Sequence, residues 1–429
     1  MLECRSAGSW PHQSDITWSA DLIVAEDMGV GIGQQLRSLL VLSAAVSLGL
    51  GLLPVFSVGG VSISAVLCLL AMALYPVFPS RAIVDRPLPV AYLLVPPFIV
   101  SCLLGQTNDS LMIAVRVLAG WLVAFTVFFE LSRRARLRAF LYCIVLGGVL
   151  LLLVLEYYSI FVYHSPFLSA DISEPTRAGR NSIGFFLAAA IPATLVLPTA
   201  VLRGVVLAFF LVSAVYLQSR GALFASAVGF GAVLLARGWR ALRAGFRPPL
   251  PHRQSALPAA VVVLLLLLLA LGYGTVQEQL ERYVLVEHTS DDLRLRLAAI
   301  AVDAFRSHTL TGIGAGRFQY ISPEGLLTHN DYLSVLAEQG LVGFLPFLGI
   351  VLAVILRAKD LAGGKVVGGK WLLPSWRSSD TARAYMGFTL ATYLLVINAY
   401  TALVFWVVLG TVFATPRTEA PEHSKRSLS

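Results

Sequence analysis

From Leu36 onward the chain alternates long apolar runs with polar links, most of them short. Each run holds about 20 residues, enough for one helix to cross a hydrocarbon core. Twelve such runs are read, near 36–53, 58–78, 88–104, 110–130, 138–163, 181–199, 201–217, 221–236, 257–274, 333–356, 382–397 and 400–414. The pattern predicts an all-α, polytopic membrane protein with about 12 transmembrane helices. One link stands apart: residues 275–332, between the ninth and tenth runs. Within it Leu293, Leu297, Ile300, Ala301, Ala304 and Phe305 recur at helical spacing, which predicts an amphipathic helix lying at the membrane surface. Three segments follow: a tail over 1–35, a membrane domain over 36–414 that includes the loop 275–332, and a second tail over 415–429. Residues 1–27 hold no apolar run of the signal-peptide kind and read as a tail or as an over-extended start upstream of Met28.

Composition narrows the class. Hydrophobic types make up 57% of the 429 residues and charged types 13%, with a mean hydropathy of +0.78. Soluble domains carry about 25% charged residues, so a water-exposed globular fold is excluded, and with it disorder, a coiled coil and a disulfide scaffold. Cys68, Cys102 and Cys143 lie inside apolar runs and read as small core residues; Cys4 stands alone.

The net charge of +8 invites a nucleic-acid reading until its distribution is followed. With the N-terminus inside, the even-numbered loops, counted into the first residues of the runs that follow them, and the C-terminal tail hold twenty-one Lys and Arg, and the short odd-numbered loops hold three. That asymmetry is the positive-inside bias, so nucleic acid drops out and the long loop 275–332 is placed on the outer, periplasmic face. Within the runs, Arg116, Glu156 and Glu338 are costly groups expected to face the bundle interior, with Glu338 read as a buried helix-packing contact.

The same topology gathers polar groups at the outer face. Gln218-Ser219-Arg220-Gly221 lies where the seventh run turns into the eighth, and Asp291-Asp292-Leu293-Arg294 opens the surface helix. Gly312-Ile313-Gly314-Ala315-Gly316-Arg317-Phe318 then leads to Thr328-His329-Asn330-Asp331 at the tenth run. Arginine presents a planar fork that grips a phosphate in two bonds, and histidine is the side chain suited to taking a proton near neutrality. Together they could hold a lipid diphosphate and deprotonate a hydroxyl. Taken singly, each residue also fits a plainer role: Arg220 as a cap or a snorkelling cation, Arg294 and Arg296 as contacts to anionic lipid, His329 as a neighbour of a helix cap. The glycine turn lacks the strand–turn–helix setting of a dinucleotide site, and Asp291-Asp292 fits a helix start better than a metal site.

The stretch from Arg294 to Phe347 resembles the signature of the bacterial O-antigen ligase-like family, a superfamily of lipopolysaccharide O-antigen ligases and Wzy-type polysaccharide polymerases. The likeness rests on Arg294 at the head of an amphipathic helix and on the turn Ser307-His308-Thr309-Leu310-Thr311-Gly312-Ile313-Gly314-Ala315-Gly316-Arg317-Phe318. It continues in His329-Asn330-Asp331-Tyr332-Leu333 and Ala337-Glu338-Gln339-Gly340-Leu341-Val342-Gly343-Phe344, and in Ser219-Arg220-Gly221. The family often has proline where this chain has Thr309, and an aromatic residue where it has Ala298, which leads us to expect a looser turn and helix.

The resemblance implies an inverting, metal-independent glycosyltransferase of the inner (cytoplasmic) membrane. Its donor would be a glycan on undecaprenyl diphosphate and its acceptor a sugar hydroxyl, on lipid A–core or on a second lipid-linked glycan. It implies His329 as the catalytic base and Arg220 and Arg294 as diphosphate ligands. Arg180, Arg177, Arg317, Asn330 and Asp331 are further substrate contacts to consider, with neither cofactor nor metal and with a chain-length regulator as a partner to consider. Ligase is preferred to polymerase, although the two share donor and chemistry. A lipid-linked glycan transporter is the reading from another class; it should show internal repeats with broken helices in matching halves, and no such symmetry is found. A peptidoglycan-type polymerase shares span number and lipid substrate, but its motifs are not evident.

Overall fold

The computed structural model describes residues 32–50, 52, 57–58, 61–74, 88–131, 134–162, 164, 180–217, 219–243, 292–322, 325–363, 365–367, 370–372, 375, 378–397 and 399–415. Among these the chain is helical, with two short antiparallel ribbons, Ser57–Val58 with Val61–Ser62 and Lys365–Val367 with Lys370–Leu372. The helices are α1 (Ile32–Leu50), α2 (Ile63–Ala73), α3 (Val90–Leu93), α4 (Val95–Leu103), α5 (Asn108–Glu130), α6 (Arg134–Tyr157) and α7 (Arg180–Ala193). After them come α8 (Ala200–Tyr216), α9 (Arg220–Arg243), α10 (292–307), α11 (Phe318–Ile321), α12 (Asp331–Ala362), α13 (Ser379–Tyr393) and α14 (Leu403–Phe413). A helix overlies every apolar run among the described residues; the ninth run, 257–274, lies outside them.

Among the described residues, four helical segments are long and apolar enough to cross a membrane: Asn108–Glu130, Arg134–Val162, Arg220–Arg240 and Asp331–Ala362. Helix starts are set by side-chain caps that accept the amides a helix leaves orphaned. Thr107 accepts from Ser110, Thr199 from Leu202, Asn330 from Leu333 and Ser378 from Thr381.

The 23 residues of α5 span about 34 Å at 1.5 Å per residue, close to the thickness of a bilayer core. α5 therefore defines two ends of the bundle. At its start, Ser110 donates to the Ala315 carbonyl (3.0 Å) and Asp109 accepts from the Tyr320 hydroxyl (2.8 Å), which fixes the glycine turn there. At its far end, Glu130 meets Arg37 of α1 (3.0 Å) and Arg136 of α6 (3.3 Å). α14 runs alongside with its close beside the end of α5: a side chain at Gly410 would strike the Ala124 carbonyl and Val127. Between the ends lies an apolar core, with Trp406 seated against Gly120 and with Phe98, Phe347, Tyr400 and Tyr332 stacked below the start of α12.

The intramembrane charges do not all behave as expected. Glu338 is buried, as its position in an apolar run requires, whereas Arg116 is exposed on the outer surface of α5. The reason is helical phase: Ala114, Val117 and Gly120 take the inward positions, and Arg116 falls between them. The amphipathic helix is present as α10, but its apolar stripe does not lie open to lipid. Leu297, Ala301 and Ala304 pack with Phe318 of α11 and Ala337 of α12.

Candidate active site

The start of α12 forms the platform. Thr328 donates to the Asn330 carbonyl (2.9 Å) and accepts its amide (3.3 Å), while the Asn330 side chain caps Leu333 (3.1 Å). Between them His329 takes a left-handed backbone, φ 54°. Its ring is half-buried. Burial first, and the nearby Arg294 charge second, hold its pKa below the ordinary 6.5. Both effects favour the neutral imidazole, the form that can accept a proton.

Asp331 anchors this platform. Its amide donates to the Leu394 carbonyl (2.9 Å), and its Oδ2 accepts the amides of Ala399 (2.7 Å) and Tyr400 (3.0 Å). The Tyr332 hydroxyl donates to the Ala391 carbonyl (3.0 Å). The first turn of α12 is thus locked onto the α13–α14 connection. Asp331 is fully buried, and the Asn330 side chain is engaged as a cap. The structure gives both residues places in the scaffold rather than on the open face, and a contact from either to substrate gains no support from the geometry.

The same connection receives two more helix starts. At the head of α9, Gly221 packs against Tyr393 and Val396, which brings the half-buried Arg220 to this end. The Tyr393 hydroxyl donates to the Asn181 carbonyl (2.9 Å) in the first turn of α7, whose first residue is Arg180. The starts of α7, α9 and α12 therefore converge on 393–400. Each helix start carries partial positive charge from its aligned peptides, and such ends favour anions. Arg294, exposed on α10, lies close enough for its charge to act on His329, and Arg317 is exposed beside the glycine turn. Arg177 lies outside the described residues. Among the described residues no group of three or more His, Cys, Asp and Glu side chains comes together to hold a metal ion.

Two positions that sequence reasoning undervalued complete the scaffold. Gly340 interrupts α12 with φ 58° and ψ −157°, and Glu338 sends its Oε1 to accept the Phe318 amide (3.1 Å). Nor is the turn loose, as Thr309 in place of proline led us to expect. The Thr309 carbonyl accepts the Leu341 amide (2.9 Å), and glycines with positive φ at 312, 314 and 316 supply the curvature.

Comparison with known proteins gives one family match. Residues 205–348, from α8 into α12, match the model of the family described as O-Antigen ligase. No curated protein matches the chain. The matched segment holds Arg220, Arg294, Arg317, His329 and Glu338. Motif and match agree: residues 205–348 of this chain, about a third of it, are similar to the O-antigen ligase family.

Proposed function

We propose that the protein is an inverting, metal-independent membrane glycosyltransferase that moves a glycan from undecaprenyl diphosphate to a sugar hydroxyl at the periplasmic face. The family is one of membrane enzymes of lipopolysaccharide and polysaccharide synthesis; the donor, the acceptor, twelve spans and the outward-facing site are our reading. One observation carries it: a half-buried His329, its pKa held below the ordinary value by burial and by the Arg294 charge, at an end of the bundle where three helix starts converge.

The residues divide the chemistry. Arg294 and Arg220 neutralise the donor diphosphate, so that it leaves as a stabilised anion, and the helix starts add to the same field. His329 takes the proton of the acceptor hydroxyl as its oxygen attacks the anomeric carbon from the face opposite the departing diphosphate. One glycosidic bond forms and the sugar–phosphate bond breaks, with inversion. The lipid diphosphate keeps the electron pair, and the proton passes from the imidazole to water. A positioned base contributes about 10²–10⁴-fold. The acceptor, lipid A–core for a ligase or a second lipid-linked glycan for a polymerase, is left to the product; we favour the ligase.

The test is release of free undecaprenyl diphosphate by purified protein in detergent, with EDTA present, for wild type and His329→Ala. Release by wild type alone supports a metal-independent transferase that uses His329, and the size ladder of the product separates ligase from polymerase. Release by neither, with transport of intact lipid-linked glycan across vesicles, would establish the transporter instead.

A further inference from the structure

The break in α12 has a specific partner. In an unbroken helix the amides of Leu341 and Val342 would donate to the carbonyls of Ala337 and Glu338, each four residues back. Here those amides donate to Thr309 (2.9 Å) and Leu310 (3.1 Å), and those carbonyls accept from Ile313 (3.0 Å) and Gly314 (2.8 Å). Two helical bonds are thus exchanged for four bonds to the glycine turn. The exchange needs bare backbone on both sides. A side chain at Gly312 would collide with the Glu338 and Gln339 main chain, and one at Gly340 with the Leu310 carbonyl.

Glu338 adds a fifth bond from the same place. Its side chain is 2% exposed, and its carboxylate reaches past the turn to the Phe318 amide (3.1 Å). Phe318 is fully buried at the centre of the cluster that holds α10 through Leu297, Ala301 and Ala304. α10 is therefore tied to α12 in two ways: directly, through Ala337 in that cluster, and through Glu338, which holds Phe318 against Leu297, Ala301 and Ala304; Arg294 stands on the same α10. His329 lies two residues before the first residue of the same α12, whose Asn330 cap follows it directly.

We propose that Glu338 is a positioning residue, fixing the helix that carries Arg294 relative to His329, so that its loss weakens donor binding rather than proton transfer. This rests on the reading of Arg294 as a diphosphate ligand. A carboxylate suits the task because it accepts strongly from a backbone amide, and a buried amide left without an acceptor disturbs the turn around it.

The experiment uses the full chain in detergent, with undecaprenyl-diphosphate glycan as donor. Glu338→Ala is expected to raise the donor KM about tenfold, by loss of the hydrogen bond to the buried Phe318 amide, and to leave kcat nearly unchanged. Glu338→Gln, which keeps an acceptor oxygen, should stay close to wild type. If Glu338→Ala does not fold, Glu338→Asp withdraws the acceptor by one methylene and carries the same test at smaller amplitude. The double variant with Arg294→Ala should have the KM of Arg294→Ala alone, because the two act through one contact. A lowered kcat at unchanged KM, the mark of a smaller active fraction, overturns the proposal, as do KM effects that multiply. Amide hydrogen exchange across 309–318 reads the clamp without any activity and should quicken in Glu338→Asp. A wild type that releases no lipid diphosphate overturns the transferase reading; quickened exchange then still upholds the clamp, and unchanged exchange overturns it.

Discussion

The two ends of the bundle use charge in opposite ways. At the end where α5 stops, cations are consumed by the fold. Arg37, 1% exposed, is paired with Glu130, which also takes Arg136. Arg383, fully buried, bonds Asp380 and the closing carbonyls of α14 at Val412 and Ala414, while Arg240 pairs with Asp360. At the other end the two buried carboxylates serve backbone amides instead: Asp331 binds Ala399 and Tyr400, and Glu338 binds Phe318. Arg294, Arg296 and Arg317 are exposed there, beside a half-buried histidine. These guanidiniums face the surface, where an anionic ligand can reach them. One end is scaffold, and the other is suited to an anionic ligand.

That contrast can be broken in order of effect. His329→Ala should lower kcat about 10²–10⁴-fold with the donor KM and the melting temperature little changed, as read by lipid diphosphate release and thermal unfolding in detergent. Glu130→Leu should do the reverse. Removing one partner of a buried pair costs about 3–5 kcal/mol, so the protein should melt markedly lower while surviving molecules keep the wild-type donor KM. A smaller effect sharpens the positive end. Activity should rise with pH through the pKa of His329, since only the neutral ring accepts a proton. Arg294 is the second of the two causes holding that pKa below 6.5, so Arg294→Gln should move the acidic limb of kcat/KM to higher pH. Smallest of all, Asp303→Asn breaks an exposed pair with Arg306 in which both side chains are over 70% exposed. It should change stability by no more than about 0.5 kcal/mol.

Much of the scaffold was legible in the sequence, because apolar runs act locally: a helix overlies each run among the described residues. Arg220, Arg294 and His329 could be singled out because side chains of that chemistry at one predicted face have few common purposes. What stayed hidden depends on partners distant in sequence. Glu338 read as a packing contact because its acceptor role is defined by Phe318, which local periodicity does not bring near it. Gly340 entered only as part of the family-like stretch from Ala337 to Phe344, since the sequence does not say that a helix opens there to admit Thr309–Gly314. Arg116 was expected inside by a general rule about cost, and helical phase put it outside.

The left-handed backbone of His329 has a consequence for how this protein can vary. Glycine adopts that geometry freely, and asparagine tolerates it far better than most residues. Selection for a sturdier fold alone would therefore pull position 329 toward either of them, through variants that fold as well as the parent or better and are chemically silent. Such variants would express, insert and pass any screen for folding. On the proposed reading of His329 as the base, a histidine kept in that geometry marks the reaction rather than the architecture, and it would separate working copies of the domain from stable but inert ones.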